Sequence, residues 1–188
     1  MPILKLIKPS EEYAEQIAEY RREFLANMAC VKDDPAHNLK KIAGTSWLEK
    51  FENPLDWIQQ CNTYESYDTI PNKKHTTGTQ YMSVLEDSNK LIGMLAIRHE
   101  LKGEEVINFG GHIGYSIRPS ERRKGYAKEQ LRLGLIKAKE HGLDRVLICC
   151  AETNEASKRT ILANGGKFER KIYVEESKLW VDRYLVEL

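Results

Sequence analysis

The stretch Gly111-His-Ile-Gly-Tyr-Ser-Ile-Arg-Pro-Ser-Glu-Arg-Arg-Lys-Gly-Tyr-Ala127 decides how the rest of the chain is read. His112 to Ile117 has the composition of a short buried strand, and Arg118-Pro119 closes it because proline cannot donate to a ladder. A basic turn follows, with Arg122, Arg123 and Lys124 ahead of Gly125. From near Ala127, the recurrence of Leu131, Gly134, Leu135 and Ala138 predicts a helix with one buried face. Strand, basic glycine turn and helix start together make an anion site. The first helical N–H groups lack intrahelical partners, and the helix dipole adds partial positive charge there. Glycine at position 125 lets the main chain approach an anion closely. Arg118 to Lys124 holds four cations and one acid, Glu121, a local charge of +3 in a chain whose total is +1. The expected guest is a di- or polyphosphate.

Two common phosphate motifs are absent. There is no Gly-x-x-x-x-Gly-Lys-Ser/Thr loop, and Gly110, Gly111 and Gly114 precede a strand with the wrong spacing for a dinucleotide fingerprint. What stands after the strand is Arg122-x-x-Gly125-x-Ala127. This resembles the acetyl-coenzyme A pyrophosphate loop of the GNAT superfamily of N-acetyltransferases. The surroundings match as well. A helix runs to His141-Gly142, a second apolar strand spans Arg145 to Ala151, and Asn154 opens another helix that ends in Asn164-Gly165-Gly166-Lys167-Phe168. Within the superfamily the stretch is most similar to a bacterial acetyltransferase group related to the ribosomal-protein N-terminal acetyltransferases.

The resemblance implies a fold and a site. The fold is the acyl-CoA N-acyltransferase fold, α/β (α+β), with a mixed, mostly antiparallel sheet of about seven strands and about four helices. Pantetheine is expected to run beside Tyr115, Ser116 and Ile117, while main-chain N–H groups from Arg122 to Lys128 cradle the pyrophosphate. That span takes in Arg123, Lys124, Gly125, Tyr126 and Ala127. Asn154 and Ser157 are expected to contact coenzyme A, although Asn154 also suits a plain helix cap. Many members carry a base on the strand, where this sequence has His112. A histidine of near-neutral pKa can take a proton from an ammonium, and the alternative is a strand histidine satisfied by a neighbouring loop. Glu152 and Glu100 are reserve candidates. The family's helix tyrosine corresponds here to Ile161, so the acid does not carry over; Tyr115 is the first substitute, with Tyr126 and Tyr173 behind it. The implied activity is transfer of an acetyl group from acetyl-coenzyme A to a primary amine of a small molecule, peptide or protein. A non-catalytic acyl-coenzyme A sensor is the alternative.

Bulk numbers agree with an ordinary globular chain: 188 residues, 30% charged and 41% hydrophobic, expected as one domain over 1–188. Residues 1–100 form its acceptor-side half, 110–168 its cofactor core and 169–188 a C-terminal hairpin. With 29 basic and 28 acidic residues, nothing pulls the chain toward nucleic acid or anionic membrane. No apolar run reaches membrane-span length and no signal-peptide core opens the chain, so a cytoplasmic location is expected. Cys30, Cys61, Cys149 and Cys150 lack metal-ligand spacing, and no metal is expected. They read as buried free thiols.

Leu4 to Ile7 reads as the first strand, and Ser10 as the cap of a helix with the stripe Tyr13, Ile17, Tyr20, Phe24 and Met28. Asp33-Asp34-Pro35 breaks that helix, and Asn53-Pro54 starts another. Trp47, Phe51, Trp57, Tyr64 and Tyr67 crowd the next region, either as an acceptor pocket or as ordinary packing. Thr79 to Leu85 and Lys90 to His99 pair around Asp87-Ser88-Asn89, and Glu169 to Val174 pairs with Leu179 to Leu188. The predicted order is β α α β β β α β α β β, with parallel pairing expected in the second half. Leu133 and Ile136, off the main helix face, suggest a contact surface for a homodimer.

Overall fold

The computed structural model describes residues 3–30, 41–104, 106–175 and 177–188. The elements follow in the predicted order: β1 (Leu4–Ile7), α1 (Ala14–Cys30), α2 (Pro54–Thr63), β2 (Gly78–Leu85), β3 (Leu91–Arg98), β4 (Ile113–Ile117), α3 (Tyr126–Glu140), β5 (Arg145–Ala151), α4 (Glu155–Leu162), β6 (Lys167–Val174) and β7 (Leu179–Glu187). The result is a mixed α/β fold with seven strands flanked by four helices. The strands form two antiparallel ladders, β1-β2-β3-β4 and β5-β7-β6. Among the described residues no parallel ladder joins β4 to β5, contrary to the expected pairing. The link between them is His112, whose N–H donates to Leu147 O at 2.7 Å.

Alternation along the strands sorts side chains to two faces. Met82, Val84 and Met94 face α1 and α2, where Ile17, Tyr20, Phe24, Leu48 and Trp57 complete one core cluster. Tyr81, Leu95, Ile97 and Ile113 face α3 and α4, packing with Leu131, Ala138 and Ile161. The predicted α1 stripe is therefore core, with Met28 partly buried at its end. Gly134 lets α3 lie close, because a Cβ there would strike the Leu95 side chain.

Several local expectations change. The Ser10 side chain makes no capping bond to the backbone; its hydroxyl donates to Glu12, its carbonyl accepts from Tyr13 N, and a 3-10 turn over Glu11–Tyr13 leads into α1. A π-helical turn spans Val106–Gly110. Leu133 packs partly against the cluster of Leu4, Ile92 and Tyr126, so the suggested contact surface reduces to Ile136, which is 45% exposed. The aromatic crowd divides: Trp57 is fully buried, while Trp47 and Tyr67 are exposed. The break at Asp33-Asp34-Pro35 lies outside the described residues. The reading of Cys30 as a buried thiol falls on a side chain that is not described; Cys61 and Cys150 are free and buried, and Cys149 is free but only partly buried.

Candidate functional site

Arg118 N donates to Ile92 O and Arg98 N donates to His112 O. With Leu95 opposite Tyr115, this register turns the Gly114 and Ser116 backbone groups toward β3. Tyr115 and Ile117 therefore present theirs to the opposite edge, where no ladder continues. Arg122 Nε donates to Ile117 O at 3.2 Å. The Tyr115 N–H and C=O and the Ile117 N–H find no partner among the described residues. Two of the three predicted strand contacts thus sit on an open edge. Ser116 does not: Tyr20 OH lies 3.1 Å from its carbonyl, and its Oγ donates to Ala43 O at 2.5 Å.

The turn after β4 is a short 3-10 segment, Pro119–Glu121, followed by Arg122 and then Arg123 in the left-handed region at φ 65°. Gly125 occupies the cap of α3 at φ 86°, a conformation that favours glycine, and no side chain caps the helix. Arg122 N is taken by Pro119 O and Lys128 N by Gly125 O. Between them, the N–H groups of Arg123, Lys124, Gly125, Tyr126 and Ala127 have no partner among the described residues. Five consecutive free donors at a helix start, two of the residues left-handed, are what an anion requires.

The side chains are less uniform than the sequence suggests. Arg122 turns back, its guanidinium lying 5.3 Å from the centre of the Phe24 ring. Lys124 is claimed by Glu121 at 2.8 Å, which Lys90 also holds at 2.6 Å. Hydrogen bonds from these two lysines keep the Glu121 carboxyl below its ordinary range. Arg123 and Lys128 are exposed and make no ion pair among the described residues. Tyr126 buries its ring in the core, so only its main chain faces the mouth.

His112 accepts from the Leu147 N–H through Nδ1 at 2.8 Å. A backbone N–H is always the donor, so Nδ1 carries the lone pair and Nε2 the proton. Burial, aided by the charges of Arg98 and Arg145, pushes its pKa down to about 4. The ring thus replaces a missing strand bond and has no basic nitrogen to spare. Of the reserves, Glu152 pairs with Lys171, and Glu100 is exposed beyond the far end of β3.

Tyr115 reaches the first turn of α4, its hydroxyl 2.9 Å from Ser157 Oγ. Burial pushes its pKa up to about 12 against the Ser157 hydrogen bond. Asn154 accepts from Ser157 N at 3.0 Å and is the cap of α4. Tyr173 packs at a tilt against Trp180 on the exposed β6–β7 hairpin, ring centres 5.2 Å apart, and is not gathered with the others. Among the described residues, no cluster of three His, Cys, Asp or Glu could hold a metal, and no helix is long and apolar enough to cross a membrane.

Gly44 was not foreseen. A Cβ on it would lie 2.6 Å from Tyr115 Cα, and its φ is +71°, so the segment before Leu48 rests directly on the β4 backbone. Buried Gln80 holds this segment by donating to Gly44 O at 2.8 Å and accepting from Ser46 Oγ at 2.8 Å. Ser46 and Trp47 are both left-handed as well. The only trace in the sequence is the run of small residues Ala43-Gly44-Thr45-Ser46.

The family pattern described as acetyltransferase (GNAT) domain matches residues 4–167. No curated protein matches. Among solved structures, Mycobacterium smegmatis RimJ in complex with CoA-disulfide aligns with TM-score 0.68 at 16% identity, over 99% of this chain and 82% of that one. The microcin C7 self-immunity acetyltransferase MccE, in complex with acetyl-CoA and AMP, gives 0.64 at 17%, over 98% and 92%. A ribosomal-protein-S5-alanine acetyltransferase from Vibrio fischeri gives 0.64 at 18%, over 98% and 91%. At these identities the likeness shows the fold.

Proposed function

The chain belongs to the GNAT acetyltransferase domain family, and from that premise we propose that it transfers an acetyl group from acetyl-coenzyme A to a primary amine. One observation carries the reading: five unpartnered N–H groups at the mouth of α3 lie directly after a strand with an open edge. In this reading Arg123 to Ala127 hold the pyrophosphate through their main chain, and Arg123 and Lys128 add charge at the rim. Tyr115 and Ile117 offer backbone groups to the pantetheine amides as an added strand would. Residues 1–188 act as one acetyltransferase domain, with the acceptor side in 1–100, the cofactor core in 110–168 and the hairpin in 169–188.

Acetyl-coenzyme A supplies an activated acyl group whose departing thiolate must be stabilised. We assign this to Tyr115, whose hydroxyl lies 2.9 Å from Ser157 Oγ, a contact in which either oxygen can donate. With its pKa pushed up to about 12, well above the roughly 8.5 of a thiol, Tyr115 keeps its proton at equilibrium. It stabilises the thiolate by donating a hydrogen bond rather than by surrendering a proton.

The acceptor must arrive neutral. His112 is committed to Leu147 and Glu152 is ion-paired, while Glu100 sits exposed two residues past β3. With the strand histidine and Glu152 both engaged, the favoured acceptor is one partly neutral without help. That is an α-amino group, with a pKa of about 7.7–8.0, rather than a lysine side chain near 10.4. A peptide or protein N-terminus, or a small α-amino compound, fits that class. The preference agrees with a relation to the ribosomal-protein N-terminal acetyltransferases. Thiol release measured against matched α- and ε-amines at pH 7 is expected to favour the α-amine by roughly 300-fold. Failure of calorimetry to detect coenzyme A binding would overturn the reading altogether.

The sensor reading has one observation in its favour: Ile161, at the family's tyrosine position, is fully buried in the core and offers no acid. Tight coenzyme A binding without turnover on any amine would select it.

A further inference from the structure

We infer that Glu23, on α1, is the positioning residue that holds the phosphate cradle in its binding geometry. The inference rests on the cradle proposed above. Its basis is a set of contacts between α1 and the β4–α3 turn, segments nearly a hundred residues apart in sequence. Glu23 Oε2 accepts from Arg118 Nε at 2.7 Å, and Glu23 Oε1 accepts from Ser120 N at 2.5 Å. One carboxylate thus clasps a side chain and a main-chain donor on either side of Pro119. Arg118 is only 9% exposed, and its Nη1 donates to Leu91 O at 3.2 Å. Glu19 lies 3.9 Å from Arg118 Nη2, too far to replace Glu23.

Two neighbours of Glu23 on α1 extend the clasp. Tyr20, three residues before, bonds Ser116, and Phe24, one residue after, carries the guanidinium of Arg122 on its ring. Ser116, Arg118, Ser120 and Arg122 are consecutive alternate residues leading from β4 into the cradle, and α1 holds each of them. The other restraint on the turn, Glu121 with Lys90 and Lys124, ties it to the start of β3 and to itself. Past Arg118, whose own N–H meets Ile92 O on β3, only Glu23 fixes a backbone N–H of the turn to another element among the described residues.

The consequence is a coupling. The donors at Arg123 to Ala127 converge on an anion only when the preceding turn is fixed, and α1 fixes it. Glu23 touches neither the proposed pyrophosphate nor the reacting atoms, so its loss is expected to act on cofactor affinity and not on the chemical step. A charge-assisted bond of this kind is worth about one power of ten in affinity.

The test compares the full-length protein with Glu23→Gln, which keeps the reach and loses the charge, and Glu23→Asp, which keeps the charge and loses the reach. Coenzyme A affinity is measured by calorimetry, steady-state constants by thiol release, and fold by thermal melting without ligand. Both variants are expected to raise the dissociation constant and the acetyl-coenzyme A KM about tenfold, with kcat at saturation and the amine KM within about twofold of wild type. Wild-type coenzyme A affinity in both folded variants would overturn the inference and leave the cradle standing. Loss of kcat in parallel with a lowered melting temperature would equally overturn it, marking Glu23 as a fold contact only. Absence of coenzyme A binding in the wild type removes the cradle itself and with it the premise.

Discussion

At the scale of the residue, His112 shows how a side chain can stand in for a strand. Its Nδ1 and its own N–H take the two backbone groups of Leu147, so one residue closes the contact between β4 and β5. Replacing it by alanine leaves the Leu147 N–H unsatisfied, an expected cost of about 1–3 kcal/mol, read as a melting temperature lower by roughly 2–4 °C per kcal/mol. Asparagine offers an acceptor at a similar reach and is expected to recover much of that loss. The pH sign follows from a folded pKa of about 4, below the unfolded value near 6.5. The neutral ring is favoured in the native state, so its contribution is complete above about pH 6.5 and is lost as pH falls toward 4. Melting curves of wild type and His112→Asn are expected to converge across that window. In the sequence, the position of His112 was legible but its role was not, because periodicity does not reveal which N–H an imidazole meets.

At the scale of the element, the β4–α3 turn separates main chain from side chain. The sequence placed three cations there, and of these Arg123 alone is outward and unpaired among the described residues, since Arg122 lies on Phe24 and Lys124 on Glu121. Arg123→Ala is therefore expected to raise the acetyl-coenzyme A KM by roughly fivefold at low salt, with the effect shrinking as salt rises. Lys124→Ala is expected to change it less than twofold, because its charge is already met. KM values at two salt concentrations check both. Gly125→Ala places a side chain in the left-handed region at about 1–2 kcal/mol and crowds the mouth, so it is expected to weaken coenzyme A more than either cation change. The glycine and the helix start were visible as spacing; the partition of the cations was not, because Glu121 and Phe24 compete for them in three dimensions.

At the scale of the whole molecule, the end of the sheet opposite the cradle gathers a histidine pair. His99 and His141 lie 4.6 Å apart, with Thr79 Oγ1 2.9 Å from His99 Nε2 and Tyr81 OH 3.0 Å from His141 Nε2. Burial lowers both imidazoles, and for His99 the charge of His141 adds to it; Glu65 opposes the shift in both and Lys8 reinforces it. Lowered folded values mean that the unfolded chain binds more protons, so stability is full above about pH 6.5 and declines below it. Melting temperature is expected to drop by several degrees between pH 7 and pH 5, with the drop reduced in a His99→Gln variant. A melting temperature independent of pH over that range would contradict this account.

The sequence by itself determined the element order and the place of the glycine turn, because periodicity and chain-breaking residues are local properties written into consecutive positions. It also marked the α1 stripe as core, from helical spacing alone. Only the tertiary structure decided that β4 keeps an open edge, that Gly44 rests on Tyr115, that His112 is spent on Leu147 and that Glu23 reaches Ser120. Each of these joins residues far apart in the chain, and such meetings depend on how faces pack, which no local pattern encodes.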